Sequence, residues 1–206
     1  MQSPVEVADR IHLLNVTEDA GPNRDRAGRI AEFLRSCGIS SPAPWCAAFV
    51  YHCHIEAGVS AERLPARHLA ASTYQWAKWA AAHGRLRTLA RANGLPQRGD
   101  LFLWNASLSF GRVGPTSGSG HIGFVCSATR DRGSASRLEQ AAQGRVLLRT
   151  IEGNSNADGG RDGTALIRRG SRSGMPGEAK LTPNTTEAWR IAGSNVHWID
   201  MSGVGR

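Results

Sequence analysis

The chain is poor in cysteine and lysine and has no long apolar run, and each shortage removes a class of protein. Four cysteines (Cys37, Cys46, Cys53 and Cys126) in 206 residues are too few for a disulfide scaffold, and none forms a C-x-x-C pair. A reducing compartment at synthesis is expected. No stretch approaches the roughly 18 apolar residues that a membrane-crossing helix needs. Met1 to Asn15 has only Ile11 to Leu14 as an apolar patch and carries Glu6, Asp9 and Arg10, so it lacks the charged start and long apolar centre of a secretory signal. The basic residues are scattered and accompany no DNA- or RNA-binding motif, so no nucleic-acid partner is expected. What is present is a formal net charge of +8, with arginine far outnumbering lysine, which suits an anionic partner such as a phosphate-bearing polymer. A hydrophobic content of 40% supports one sizeable core, read as a single domain over residues 1–206.

The periodicity changes along the chain. Val5 to Leu14 is weakly amphipathic, and Ile30, Phe33, Leu34 and Cys37 recur at helical spacing before Gly38. A Pro-containing run ends at Trp45, and Cys46 to Ala57 favours helix until Gly58, with Cys46, Phe49, Val50, Cys53 and Ala57 on one apolar face. Ala71 to Ala82 predicts another helix, with Trp76 and Trp79 as core anchors. Beyond Pro96 the period becomes two, predicting strands over Asp100–Trp104, His121–Cys126, Arg145–Glu152, Ala165–Arg169 and Val196–Met201, with loops over Asn105–Gly120 and Gly170–Asn184. Helices followed by strands imply an α+β fold with an antiparallel sheet.

Three blocks carry chemistry. Cys46 falls in the first turn of its helix, where unpaired N–H groups and the dipole favour the thiolate, the form that attacks carbonyls. His121 opens a strand on which His121, Gly123 and Val125 share a side, and the glycine leaves room beside the imidazole. Glu152 and Asn154, two apart at the end of the next strand, share a face if extended pairing persists, and either can accept the imidazole N–H. Nucleophile, base and orienting polar group are the parts of covalent acyl transfer. Cys46 as an inert core thiol is the competing reading of that residue taken alone.

Pro44-Trp45-Cys46-Ala47-Ala48-Phe49-Val50, Arg98-Gly99-Asp100-Leu101-Phe102, Gly120-His121-Ile122-Gly123-Phe124-Val125 and Thr150-Ile151-Glu152-Gly153-Asn154 together resemble the CHAP amidohydrolase/peptidase family, related to the NlpC/P60 cysteine peptidases. The resemblance spans roughly residues 5 to 170 and leaves 171–206 as a C-terminal extension. It implies a papain-like α+β fold, with N-terminal helices packed on an antiparallel sheet, and hydrolysis of an amide bond in peptidoglycan. It assigns Cys46 as nucleophile, His121 as base, Glu152 as the acid orienting the imidazole and Asn154 as a fourth polar member, with Trp45, Trp104 and Gly120 against substrate. Either bond class fits: the N-acetylmuramoyl-L-alanine link, or an amide within the stem peptide or cross-link.

A chain of this kind is expected to be made in the cytoplasm without a cleaved signal, to reach the periplasmic or extracellular wall by another route and to work as a monomer. An anionic wall polymer, and an immunity protein if the chain is an antibacterial effector, are the further partners. An inactive wall-binding module on the same fold, and a deamidase or acyltransferase toxin using the same trio, stay open. Several CHAP enzymes use calcium, but Asn156–Gly163 lacks the alternate acidic ligands of a calcium loop, and independence of cofactors and metals is expected. A metal site built on His52, Cys53 and His54 fits poorly, because neighbours on a helix point about 100° apart.

Overall fold

The computed structural model describes residues 2–19, 21, 23–25, 27–88, 94–104, 109–111, 114–117, 120–130, 146–155, 164–169, 189–191 and 196–204. Four helices lead, α1 (Pro4–His12), α2 (Gly28–Ser36), α3 (Cys46–Glu56) and α4 (Thr73–Ala82). The strands are β1 (Leu86–Thr88), β2 (Leu101–Trp104), β3 (Ser109–Gly111), β4 (Gly114–Ser117), β5 (His121–Arg130), β6 (Val146–Ser155), β7 (Ala165–Arg169), β8 (Trp189–Ile191) and β9 (Val196–Ile199). This is the α+β architecture that the change of period predicts.

The main sheet runs β1-β9-β2-β5-β6-β7, with β8 also beside β6, and every pairing in it is antiparallel. Side chains alternate across it. Leu101, Leu103, Ile122, Phe124 and Ile151 join the large core under the helices, while Phe102, Val125, Leu148 and Trp198 form a second cluster. The segment expected to be an extension supplies β9, whose Ile199 pairs with both Leu101 and Leu86 inside the sheet.

Helix α3 departs from the single apolar stripe predicted for it. Besides that stripe, Ala47, Ala48, Tyr51 and His54 are buried, because α1 and α2 pack on its flanks and β5 and β6 lie beneath it. A helix that is apolar nearly all round belongs inside a protein. It ends as the sequence predicts, with Gly58 at φ 83° and the Val59 N–H returning to the His54 carbonyl at 3.0 Å, a glycine-dependent left-handed cap.

The Asn105–Gly120 stretch needs a correction, since part of it is a small hairpin, β3 against β4. Apart from Phe110 these strands hold only Gly, Ser, Pro and Thr, which carry no apolar alternation, so backbone pairing defines them. The Asn156–Gly163 and Gly170–Asn184 segments lie outside the described residues. Among the described residues no helix is long and apolar enough to cross a membrane.

Candidate active site

Pro42 and Pro44 hold the chain out of helix until Trp45, which sits at φ −119° and ψ 8° as the N-cap of α3. The first helical bond runs from the Phe49 N–H to the Trp45 carbonyl at 2.8 Å. No side chain caps this helix. By contrast, Ser72 Oγ accepts from the Gln75 N–H at the start of α4. The N–H groups flanking Cys46 therefore meet no capping side chain.

Trp45 is wholly buried, which corrects its expected place against substrate: its ring offers a substrate no surface. The indole N–H instead donates to Glu18 Oε1 at 2.6 Å, and Glu18 Oε2 accepts from the Arg24 N–H at 3.2 Å. Glu18 is itself tied down, its backbone N–H donating to the Thr164 carbonyl at 2.6 Å beside the Thr17–Ala165 bridge. The ring's far edge meets Gly153, where a Cβ would lie 2.7 Å from Trp45 Cζ3 and 3.0 Å from Phe49 Cβ. Trp45 is thus a spacer setting the start of α3 against the end of β6.

His121 opens β5, paired with Trp104 across the ladder. Its Nε2 lies 3.1 Å from Glu152 Oε2, with the two side chains 3% and 1% exposed. Gly123 makes this approach possible. A Cβ there would stand 2.6 Å from the Ile151 carbonyl oxygen, 2.6 Å from Phe102 Cε1 and 3.1 Å from Glu152 Cγ. The space inferred beside the imidazole is filled by the Glu152 side chain and the Phe102 ring.

Burial alone would push the His121 proton off. The pull of Cys46 and Glu152, reinforced by their charges, outweighs it and raises the imidazole to about 9. With Nε2 directed to Glu152, Nδ1 is the ring nitrogen left to face the thiol, and among the described residues it meets no partner at hydrogen-bond geometry, so the thiol acts on it from close by without a formed bond. Cys46, His121 and Glu152 therefore come together from three separate elements. The other thiols sit differently: burial pushes Cys37 up to about 12 and raises Cys53 and Cys126.

Asn154 lies at the same strand end, fully buried, but the uninterrupted extended face expected for it fails. Asn154 has φ 56°, and the pairing of β6 with β7 slips by a residue between Glu152–Ile167 and Ser155–Ala165. This is a bulge, a form in which Asn tolerates the left-handed conformation. Gly120 is half-buried just before His121. The Trp104 backbone pairs with His121, and its side chain lies outside the described residues.

Sequence reasoning missed Glu18, Gly153, Thr150 and Ser155. Thr150 had a usable signal, being two residues before Glu152 and so on its face. Ser155 had none, because it meets Glu152 only through the bulge.

The His52, Cys53, His54 run does not converge on one point: His52 Nε2 lies 3.2 Å from Glu56 Oε2, His54 Nδ1 lies 2.8 Å from the Val50 carbonyl oxygen, and Cys53 is buried. Among the described residues no group of three or more His, Cys, Asp or Glu side chains is placed to hold a metal ion.

No curated protein and no solved structure matches the chain. The sequence model of the CHAP domain matches residues 38–141, just over half of the chain, taking in Cys46 and His121 and stopping before Glu152. CHAP domains are generally hydrolases that act on peptidoglycan. With helices laid over an antiparallel sheet and a match over half its length, this chain belongs to the CHAP domain family.

Proposed function

We propose that this chain hydrolyses an amide bond of peptidoglycan by covalent catalysis at Cys46, cutting either the N-acetylmuramoyl-L-alanine link or a bond within the stem peptide or cross-link. The observation that carries the reading is the buried His121 held between Cys46 and Glu152 and raised to about 9. Such an imidazole takes up the Cys46 proton as the sulfur attacks. Sγ bonds to the substrate carbonyl carbon, and the carbonyl oxygen gains negative charge opposite the backbone N–H groups at the start of α3. His121 Nδ1 then protonates the departing amine as the C–N bond breaks, leaving an acyl-thioester. Water, deprotonated by the same nitrogen, adds to the thioester, and the thiol leaves with the acid as product. Throughout, Glu152 holds Nε2 and offsets the imidazolium charge.

In this reading Asn154 is a buried polar group stiffening the strand end behind Glu152, and Gly120 precedes His121 on the substrate side. The net charge of +8 favours approach to an anionic envelope, so action at the periplasmic or extracellular wall fits the same proposal. The test is digestion of purified peptidoglycan by the wild type and by Cys46→Ala, with mass spectrometry of the released muropeptides. New amino and carboxyl termini identify the bond, and release by Cys46→Ala at the wild-type rate would falsify the mechanism.

A further inference from the structure

Glu152 does more than meet His121. Its Oε1 accepts from Thr150 Oγ1 at 2.5 Å, and its Oε2 accepts from Ser155 Oγ at 3.2 Å as well as facing His121 Nε2 at 3.1 Å. All four side chains are nearly or fully buried. A carboxylate here has no bulk water to turn toward, so its orientation is set by these donors. Thr150 binds the oxygen that His121 does not use and thereby fixes which oxygen is presented to the imidazole.

The backbone explains why both hydroxyls reach. Thr150 and Glu152 are two apart on β6 and share a face. Simple alternation would send Ser155 to the opposite face. The one-residue slip between Glu152 and Ser155, with Asn154 at φ 56°, reverses that and returns the Ser155 hydroxyl to Glu152.

We infer that Thr150 and Ser155 are positioning residues that clamp the Glu152 carboxylate with Oε2 toward His121, and that the Asn154 bulge exists to complete this clamp. The inference rests on the proposed nucleophilic role of Cys46. The charged and titratable groups bearing on the carboxylate include, among the described residues, His121 from β5, Cys126 from the same strand and, across the imidazole, Cys46 from α3.

The test uses two readouts on the full chain, one of which needs no peptidoglycan. Alkylation of Cys46 by iodoacetamide at pH 7 is followed by mass spectrometry of the Cys46 peptide, and peptidoglycan hydrolysis is measured in parallel. Thr150→Val keeps the shape and removes the hydroxyl. It is expected to slow alkylation and kcat on the order of tenfold with KM unchanged, while Thr150→Ser retains both. Ser155→Ala is expected to cost a few-fold in the same two quantities. Wild-type alkylation and kcat in a folded Thr150→Val overturn the clamp, as does equal loss in Thr150→Ser and Thr150→Val. If Thr150→Val fails to fold by circular dichroism, Ser155→Ala decides: an unchanged alkylation rate overturns the inference. A fall in alkylation in Thr150→Val with no hydrolysis by any variant, wild type included, upholds the clamp and rejects the peptidoglycan reading.

Discussion

Helix α3 begins with Cys46 beside His121 and carries Cys53 and His54 in its second half, and the two histidines have opposite chemistry. At its start, Cys46 meets His121, whose imidazole is raised to about 9. Two turns on, Cys53 adjoins His54, a ring that burial pushes down to about 4. Both histidines are buried, His121 at 3% and His54 at 1% exposure, so burial does not separate them. Their partners do. His121 has a thiol and a carboxylate, whereas His54 has the Val50 carbonyl oxygen and aromatic rings, stacked on Phe124 at 5.5 Å and near Trp76 at 5.7 Å. A buried imidazole becomes a proton carrier when anions face it and packing when rings do.

The sharpest way to break this comparison is to remove the two thiols in turn. Cys46→Ala is expected to lose about a thousandfold or more in peptidoglycan hydrolysis, measured by loss of turbidity, whereas Cys53→Ala keeps its rate and only lowers the melting temperature. Next comes the carboxylate that makes His121 unlike His54. Glu152→Gln is expected to lower kcat on the order of a hundredfold, and because one of the groups raising His121 is gone, the alkaline fall in activity begins below the wild-type limit.

In the wild type that fall is expected near pH 9. An imidazole raised to about 9 carries the proton it delivers to the leaving amine until pH passes about 9, and the same upward shift stabilises the fold fully below 6.5, a benefit lost as pH rises through about 9. Rate against pH from 6 to 10 checks it.

Gly123→Ala tests the packing that lets His121 and Glu152 approach. A Cβ 2.6 Å from a backbone oxygen cannot be relieved by a side-chain move, so about 1–3 kcal/mol of destabilisation is expected in a denaturant titration. The smallest effect belongs to His54. Its folded form resists protonation, so stability is expected to drop as pH falls from 6.5 toward 4, and His54→Gln flattens that slope in urea unfolding at successive pH values.

Much of this arrangement is legible in the sequence. Pro44 and Gly58 bracket α3 and place Cys46 in its first turn, His121 follows a Gly-Ser run into a period-two strand, and Glu152 lies near the end of the next one, which runs on to Ser155. These are local signals, and local signals survive folding. What was hidden depends on distant contacts. The resemblance sets Trp45 against substrate, yet its burial follows from a carboxylate 27 residues earlier and a glycine on β6. The all-round burial of α3 reflects helices on both flanks, which a single stripe of apolar residues does not reveal. The Asn154 bulge is a one-residue slip in register, invisible to a reading that assumes unbroken alternation. The place of β9 between β1 and β2 is a matter of long-range pairing that strand patterning cannot supply.

The hydrogen bond from Trp45 to Glu18 bears on where the working unit ends. Residues 38–141, the part that matches the CHAP domain, contain the nucleophile and the imidazole but neither the carboxylate that seats the N-cap indole nor the one that steadies the imidazole. A fragment expressed to those limits would also lose β6, β7 and β9, leaving β2 and β5 with open edges. Such a fragment is expected to aggregate, and a functional piece of this chain has to begin upstream of Glu18, early enough to keep α1 on the flank of α3.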